Sequence, residues 1–161
     1  MQQSHHQVYF EEYLDISALS SSDALLLELA KSATSLAYAP YSKFKVGAAA
    51  RLKNGETIKG SNQENASSPA GICAERVLLS TCSSLFSGIP IEAIAISYLN
   101  DGTKSNRPIA PCGICRQSIL EYENLLKHPI RLILGGFEGK IIIIPKASEL
   151  LPFAFTNEDL V

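Results

Sequence analysis

FKVGAAARLKNGETIKGS, at residues 44–61, carries the clearest structural signal in the chain, because its pattern is typical of a β-hairpin. Phe44–Leu52 predicts one strand and residues 56–61 predict a returning strand. Between them, Asn54-Gly55 is the dipeptide that most favours a tight two-residue hairpin turn.

Helical and strand patterns alternate on both sides of this hairpin. Apolar residues at helical spacing, preceded by N-cap residues, predict a helix over residues 20–39 that Pro40 ends. After the hairpin, the pattern predicts helices over 72–86 and 113–125 and strands over 91–98, 130–134 and 140–144. This alternation favours the α/β class, as a three-layer α/β/α sandwich around a mixed five-stranded sheet.

The length and composition are those of one globular domain. Of the 161 residues, 46% are hydrophobic and 19% are charged, without a low-complexity tract. We therefore expect a single domain over residues 20–161, preceded by an N-terminal extension over residues 1–19. The net charge of −2 and the scattered basic residues disfavour nucleic acid as a partner. Without a signal segment or a long apolar run, we expect a cytoplasmic protein that does not bind membranes.

The four cysteines favour a metal or catalytic site over disulfides, because the expected compartment is reducing. Cys73, Cys112 and Cys115 fall at predicted helix starts, where free backbone N–H groups stabilise thiolates. Three protein ligands leave one tetrahedral position for water, as in catalytic zinc sites. Cys82 lies further along the same predicted helix as Cys73 and is expected to point into the core.

The Cys112/Cys115 pair taken alone is equally compatible with a redox dithiol or with half of a structural zinc site. Glu75 favours a catalytic site, because an acid two residues after a thiolate ligand is costly unless it transfers protons to or from water. The alternative is a structural zinc module with Cys82 or His128 as its fourth ligand. That alternative leaves Glu75 unexplained.

Two short motifs match the zinc-deaminase signature, in which Cys or His, any residue and Glu are followed by Pro-Cys-x-x-Cys. They are Cys73-Ala74-Glu75 and Pro111-Cys112-Gly113-Ile114-Cys115. The chain resembles the cytidine deaminases of the small, homotetrameric, three-cysteine type. Further segments that carry the resemblance are APYSKFKVGAA at residues 39–49, NQENA at residues 62–66 and LLPFAF at residues 150–155.

The resemblance implies an activity, a cofactor and an assembly. The activity is hydrolytic deamination of cytidine and deoxycytidine to uridine and deoxyuridine, with release of ammonia, in pyrimidine salvage. Cys73, Cys112 and Cys115 would hold one Zn²⁺ per subunit, and Glu75 would transfer protons between water and the base. The protein would be a homotetramer with active sites shared between subunits. A deaminase of another cytosine-containing nucleoside, of the blasticidin S type, is an alternative that the zinc motif does not exclude.

The resemblance also implies a set of substrate-binding residues. Phe44 would pack against the pyrimidine ring, while Asn62 and Glu64 would hydrogen-bond the ribose 3′-hydroxyl. Backbone groups of Ala74 would contact the edge of the base. Phe155 would reach into the pocket of a neighbouring subunit.

Two arginines follow the motif residues directly. Three thiolates would give the zinc site a net negative charge, and Arg76, donating to the sulfurs, would restore the Lewis acidity of the metal. Arg116 is expected to take a similar role or to contact another subunit, with an exposed surface position as the alternative. The chain departs from the family pattern at Ala110 and at Ser68-Pro69, which affects the expected pocket wall and a subunit contact.

Overall fold

The computed structural model describes residues 1–160, which build a six-stranded mixed sheet with helices on both faces. The helices are α1 (Ser21–Ala33), α2 (Ala74–Leu85) and α3 (Gly113–Leu125). The strands are β1 (Glu11–Tyr13), β2 (Phe44–Leu52), β3 (Thr57–Ser61), β4 (Ile91–Asn100), β5 (Arg131–Gly135) and β6 (Ile141–Ile144). Their order in the sheet is β1-β6-β5-β4-β2-β3, with β4 and β5 parallel and the other neighbouring pairs antiparallel. The predicted α/β class and three-layer arrangement are confirmed.

The sheet has six strands rather than the predicted five. The additional strand is β1, which pairs with β6 so that Glu11 lies opposite Ile143 and Tyr13 opposite Ile141. A strand of three residues with two exposed glutamates is too short and too polar to show an alternating pattern. Its formation depends on the partner strand, which local sequence does not reveal.

The predicted hairpin of β2 and β3 is confirmed. Gly55 adopts φ +89°, a left-handed conformation that favours glycine, and its N–H donates to the carbonyl of Leu52 at 2.9 Å. The register places Ala49 opposite Lys59 and Gly47 opposite Ser61. This register sets which residues of the two strands face each covering helix.

Helix α1 ends earlier than predicted, at Ala33 rather than before Pro40. Hydroxyl groups near its end bond back to helix carbonyls, with Ser32 donating to Leu29 at 2.7 Å and Thr34 to Lys31 at 2.7 Å. Such side-chain bonds compete with the helical pattern, and the chain continues as a 3-10 turn over Thr34–Leu36.

Two apolar cores lie on opposite faces of the sheet. On one face, α1 packs on the sheet through a buried cluster: Leu26, Leu27, Ala30, Ala49, Ala93, Ala95, Ile133, Ile141 and Ile143. On the other face, α2 and α3 pack on the sheet through residues that include Leu78, Leu79, Ile94, Ile119 and Leu132. Because α2 and α3 share a face, their N-termini can meet. Within residues 1–160, no helix combines the length and apolar character that crossing a bilayer requires.

Candidate metal centre and active site

Three cysteine sulfurs meet where α2 and α3 begin. Cys73 is the N-cap residue of α2, Cys112 is the N-cap residue of α3, and Cys115 lies in the first turn of α3. The three Sγ atoms all lie within 4.8 Å of one another. Two helix N-termini, with their free N–H groups and positive dipole ends, therefore lie beside the sulfurs and stabilise thiolates.

The spacing of the thiols fits a tetrahedral zinc ion. Zinc–sulfur bonds of about 2.3 Å at tetrahedral angles separate two sulfur ligands by about 3.8 Å. The Sγ atoms of Cys73 and Cys112 are 3.9 Å apart, and all the cysteines are free thiols. Cys82 lies outside the cluster, in the core beneath α2, as predicted. Burial raises the pKa of the Cys82 thiol to about 11, so this residue stays a neutral core side chain.

Two of the thiols, Cys73 and Cys115, share a hydrogen bond. A hydrogen bond with Cys115 lowers the pKa of Cys73 to about 6, against the opposing effects of burial and of the nearby Glu75 carboxylate. The same hydrogen bond, together with burial, raises the pKa of Cys115. Thiols in such contact lose their protons when a metal cation binds, because the ligand is the thiolate.

Glu75 lies in the first turn of α2, directly beside this cluster, with only 5% of its surface exposed. Burial raises the pKa of its carboxyl above the usual range, while hydrogen bonds with its own backbone and with Cys115 oppose that rise. A carboxyl with a raised pKa accepts a proton and returns it near neutral pH more readily than an exposed one. The site therefore combines a thiol cluster with an adjacent acid–base group.

Gly60 in β3 allows α2 to lie this close to the sheet. A Cβ atom at Gly60 would lie 2.5 Å from the carbonyl oxygen of Ala74 and 2.7 Å from the backbone nitrogen of Leu78. Only glycine accepts such an approach of backbone to backbone. The position of Cys73 and Glu75 thus depends on a residue in the neighbouring strand.

A cleft of about 450 Å³ opens beside Cys73. Of the residues predicted for substrate binding, Asn62 and Glu64 line this cleft together with Cys73. The other three, Phe44, Ala74 and Phe155, are not among the lining residues, which instead include Tyr41, Ser42 and Ser68.

Glu64 binds the backbone across the cleft wall. Its Oε2 atom accepts hydrogen bonds from the N–H groups of Tyr41 at 2.9 Å and Ser42 at 3.3 Å. A hydrogen bond from the Ser42 side chain and these backbone bonds lower the pKa of Glu64, so its carboxylate is ionised at neutral pH. Both of these backbone donors bind Oε2 rather than Oε1.

Asn62 fixes the beginning of β2. Its Oδ1 atom accepts from the N–H of Val46 at 2.7 Å, and its Nδ2 atom donates to the carbonyl of Phe44 at 2.9 Å. These side-chain bonds take the place of the backbone hydrogen bonds that a neighbouring strand would make with β2, just after β3 ends. The side-chain amide nitrogen of asparagine carries two hydrogens. One of them bonds the Phe44 carbonyl, so Asn62 keeps one free side-chain donor.

Phe44, Ala74 and Phe155 occupy three different environments. The Phe44 ring stacks on the buried ring of Tyr98, with centroids 5.1 Å apart and planes inclined by 18°. Ala74 is fully buried, and its carbonyl oxygen lies against Gly60 of β3. Phe155 is 60% exposed, and its carbonyl accepts a hydrogen bond from the Gln117 side chain at 2.7 Å.

The two arginines differ in their contacts. Arg116 donates through Nε to the carbonyl of Pro111 at 2.9 Å and through Nη1 to that of Leu150 at 3.2 Å. It therefore connects the peptide before Cys112 to α3 and to the C-terminal segment, a role that its sequence position did not indicate. Arg76 is half-buried, and its positive charge contributes to lowering the Cys73 pKa.

Comparisons with known proteins agree with this site. A family model described as the cytidine and deoxycytidylate deaminase zinc-binding region matches residues 20–126. A cytidine deaminase from Halalkalibacterium halodurans is 41% identical over 84% of this chain and 96% of its own length. A blasticidin-S deaminase from Bacillus cereus is 30% identical over 86% of this chain and 96% of its own length.

Among solved structures, a crystal structure of cytidine deaminase from Burkholderia pseudomallei superposes with a TM-score of 0.72. It is 38% identical and covers 85% of this chain and 100% of its own. The thiol cluster, the adjacent Glu75 and these similarities agree with one another. The chain therefore belongs to the family of deaminases that share the cytidine and deoxycytidylate deaminase zinc-binding region.

Proposed function

We propose that this protein is a zinc-dependent hydrolase that converts cytidine and deoxycytidine to uridine and deoxyuridine and releases ammonia, in pyrimidine salvage. The observation that carries the proposal is the cluster of three thiols within 4.8 Å, with the buried Glu75 beside it. Membership of a deaminase family and the names of the similar proteins support the same reaction.

Cys73, Cys112 and Cys115 would hold one zinc ion per subunit. When bound there, zinc would supply a Lewis acid that lowers the pKa of water, so that water loses a proton to a base near neutral pH and becomes a strong nucleophile. Soft thiolate ligands suit zinc better than magnesium or calcium, which prefer oxygen ligands.

Glu75 would transfer both protons of the attacking water, one to N3 of the base and the other to the leaving amino group. Its carboxylate accepts one proton from the attacking water and delivers it to N3 of the base, while a new C4–O bond forms. It then transfers the remaining proton of that hydroxyl group to the amino group at C4, the C4–N bond breaks, and ammonia leaves. Water supplies all the transferred atoms, so no further reactant is required.

The nucleoside would bind in the cleft beside Cys73. Asn62 keeps an N–H donor and Glu64 keeps an ionised oxygen, and together they would satisfy a ribose 3′-hydroxyl as donor and acceptor. Phe44, supported from behind by Tyr98, would pack against the pyrimidine ring. The backbone of Ala74 would contact the edge of the base.

We extend the proposal to a cytoplasmic homotetramer in which Phe155 reaches the site of a neighbouring subunit. Two exposed aromatic rings, Phe153 and Phe155, on a segment held to α3 by Gln117 support a contact beyond the subunit. Free thiols at the site suit a reducing compartment. Sedimentation analysis tests the assembly, because a monomer that turns over cytidine at full rate would contradict it.

The sequence is also compatible with two other functions. A blasticidin S-type deaminase is favoured by one observation, the 30% identity to the Bacillus cereus enzyme. A structural zinc module would need Cys82 or His128 as a fourth ligand. Cys82 lies in the core, and neither residue belongs to the thiol cluster within residues 1–160.

The deciding experiment supplies the purified, zinc-loaded protein with five compounds and follows ammonia release. These are cytidine, deoxycytidine, cytosine, adenosine and blasticidin S. We expect ammonia and an equal amount of uridine or deoxyuridine from the two pyrimidine nucleosides. Activity on cytosine alone would contradict the proposed ribose contacts, and activity on blasticidin S alone would favour the alternative.

A further inference from the structure

Strand β6 has an unusual composition, since its four residues, Ile141–Ile144, are all isoleucine. Ile141 and Ile143 pack into the core beneath α1, and Ile144 packs into the core beneath α2 and α3. One backbone edge of β6 pairs with β5. Uncharged, β-branched strands of this kind pair readily with other chains when their second edge is exposed.

Strand β1 covers that second edge. Glu12 lies opposite Ile142, and its carboxylate forms an ion pair of 2.7 Å with the ammonium group of Lys140. Tyr13, the last residue of β1, packs against the core beneath α1. The outer edge of the sheet is then formed by a short strand with two exposed glutamates instead of by four isoleucines.

The covering strand lies outside the residues that the family model matches, 20–126, as does β6 itself. The family match begins at residue 20, whereas β1 ends at Tyr13. β1 also lies at the opposite edge of the sheet from β2 and β3, which border the candidate active site. Its position therefore indicates a role separate from the metal centre.

We propose that β1 acts as an intramolecular edge cover, which occupies backbone groups of β6 that would otherwise pair with β6 of a second copy of this chain. A second copy is the partner that this edge fits, because two uncharged isoleucine strands meet without charge repulsion. Antiparallel pairing of identical strands also obeys the twofold symmetry of most protein dimers.

The test uses the full-length chain with the double substitution Glu11→Pro/Glu12→Pro. In an antiparallel strand, the N–H groups of successive residues point alternately toward and away from the partner. One of the two prolines must therefore remove an N–H directed at β6. The matched control is Glu11→Gln/Glu12→Gln, which removes the same charges and keeps both N–H groups.

Two measurements decide the outcome: hydrogen exchange of the peptide that contains Ile141–Ile144, and molar mass by light scattering over a range of protein concentrations. We expect β6 amides of the proline variant to exchange at least about fivefold faster than those of the wild type and the glutamine control. We also expect only the proline variant to gain mass as its concentration rises. A synthetic peptide of residues 7–16 should restore the wild-type mass.

Three results would overturn the proposal. The first is wild-type mass at every concentration despite fast exchange in β6, which would show that the open edge does not pair. The second is unchanged exchange in β6, which would show that β1 does not cover it. The third is association that the peptide does not reverse, which would indicate general unfolding.

Discussion

Replacing Glu75 with glutamine removes the carboxyl that would transfer protons and keeps the size of the side chain. We expect kcat for cytidine to fall by roughly 10²- to 10⁴-fold, the usual effect of losing a general acid–base group. Zinc content should stay at the wild-type level, because the three thiols are unchanged. A near-normal kcat would contradict the role assigned to Glu75, and Glu121→Gln, an exposed acid on α3, is the control.

Substitutions at Arg76 test whether its positive charge offsets the negative charge of the three thiolates. Its positive charge favours the thiolate form of Cys73, so Arg76→Gln should weaken zinc retention or lower turnover. Competition of the zinc-loaded protein with a chelator measures the first effect, and kcat measures the second. Arg76→Lys keeps the charge and should retain most of both. Unchanged zinc content and kinetics in Arg76→Gln would contradict this role.

The ion pairs of Asp23 with Arg51 and Arg131 should make the stability of the fold depend on pH. Burial alone would raise its pKa, but hydrogen bonds and charge from Arg131 and a hydrogen bond from Arg51 lower the pKa overall. The stabilisation is therefore present above the pKa of Asp in the unfolded chain, about 3.9, and is lost as pH falls through the lower folded value. We expect Asp23→Asn to cost about 2 kcal/mol of unfolding free energy at pH 7, the scale of hydrogen bonds to charged groups, because both arginine partners are partly exposed.

Urea unfolding of both proteins at pH 7 and pH 3 measures this difference. The wild type should lose more stability than Asp23→Asn over that interval, because the two proteins share all other carboxylates and only the wild type carries the carboxylate of Asp23. Equal losses would show that the contacts of Asp23 with Arg51 and Arg131 contribute nothing that depends on pH.

At the level of single residues, the sequence predicted which residues lie together better than it predicted their contacts. The cluster of Cys73, Cys112 and Cys115 was predictable because zinc ligation requires particular residue types at fixed spacings, and Glu75 lies beside it, as its position two residues after Cys73 indicated. The stacking of Phe44 on Tyr98 was not predictable, because it depends on a register that places Val46, two residues after Phe44, opposite Tyr98.

Among the elements, the approach of α2 to β3 should be the most sensitive to substitution. Gly60→Ala would place a Cβ atom 2.5 Å from the carbonyl oxygen of Ala74, so the start of α2 would have to move. We expect a loss of about 1–3 kcal/mol in unfolding free energy and faster zinc loss to a chelator. Gly113→Ala, next to Cys112, meets no atom within 4 Å and should retain zinc. Equal zinc retention in both variants would show that the zinc site does not depend on the close approach of α2 to Gly60.

The predicted elements were correct where the signal was local. Asn54-Gly55 set the hairpin turn, and the helical spacing after Cys112 gave the bounds of α3. Two elements depended on information that local sequence lacks. β1 exists only because β6 offers an edge, and α1 ends early because Ser32 and Thr34 bond back to its carbonyls.

For the whole molecule, the architecture explains how distant residues form one site. α2 and α3 cover the same face of the sheet, and this arrangement brings Cys73 within 4.8 Å of Cys112 and Cys115. The sequence predicted the layers, since helices alternate with apolar strands. The structure adds the cleft beside Cys73, whose walls come from segments on either side of the hairpin.

We propose that this chain deaminates cytidine with zinc held by its three thiols. The most direct test removes zinc with a chelator and measures zinc content and cytidine turnover on the same samples. We predict that turnover falls in proportion to the zinc removed and returns when about one zinc ion per chain is added back. Full cytidine turnover by protein that contains no zinc would contradict the claim.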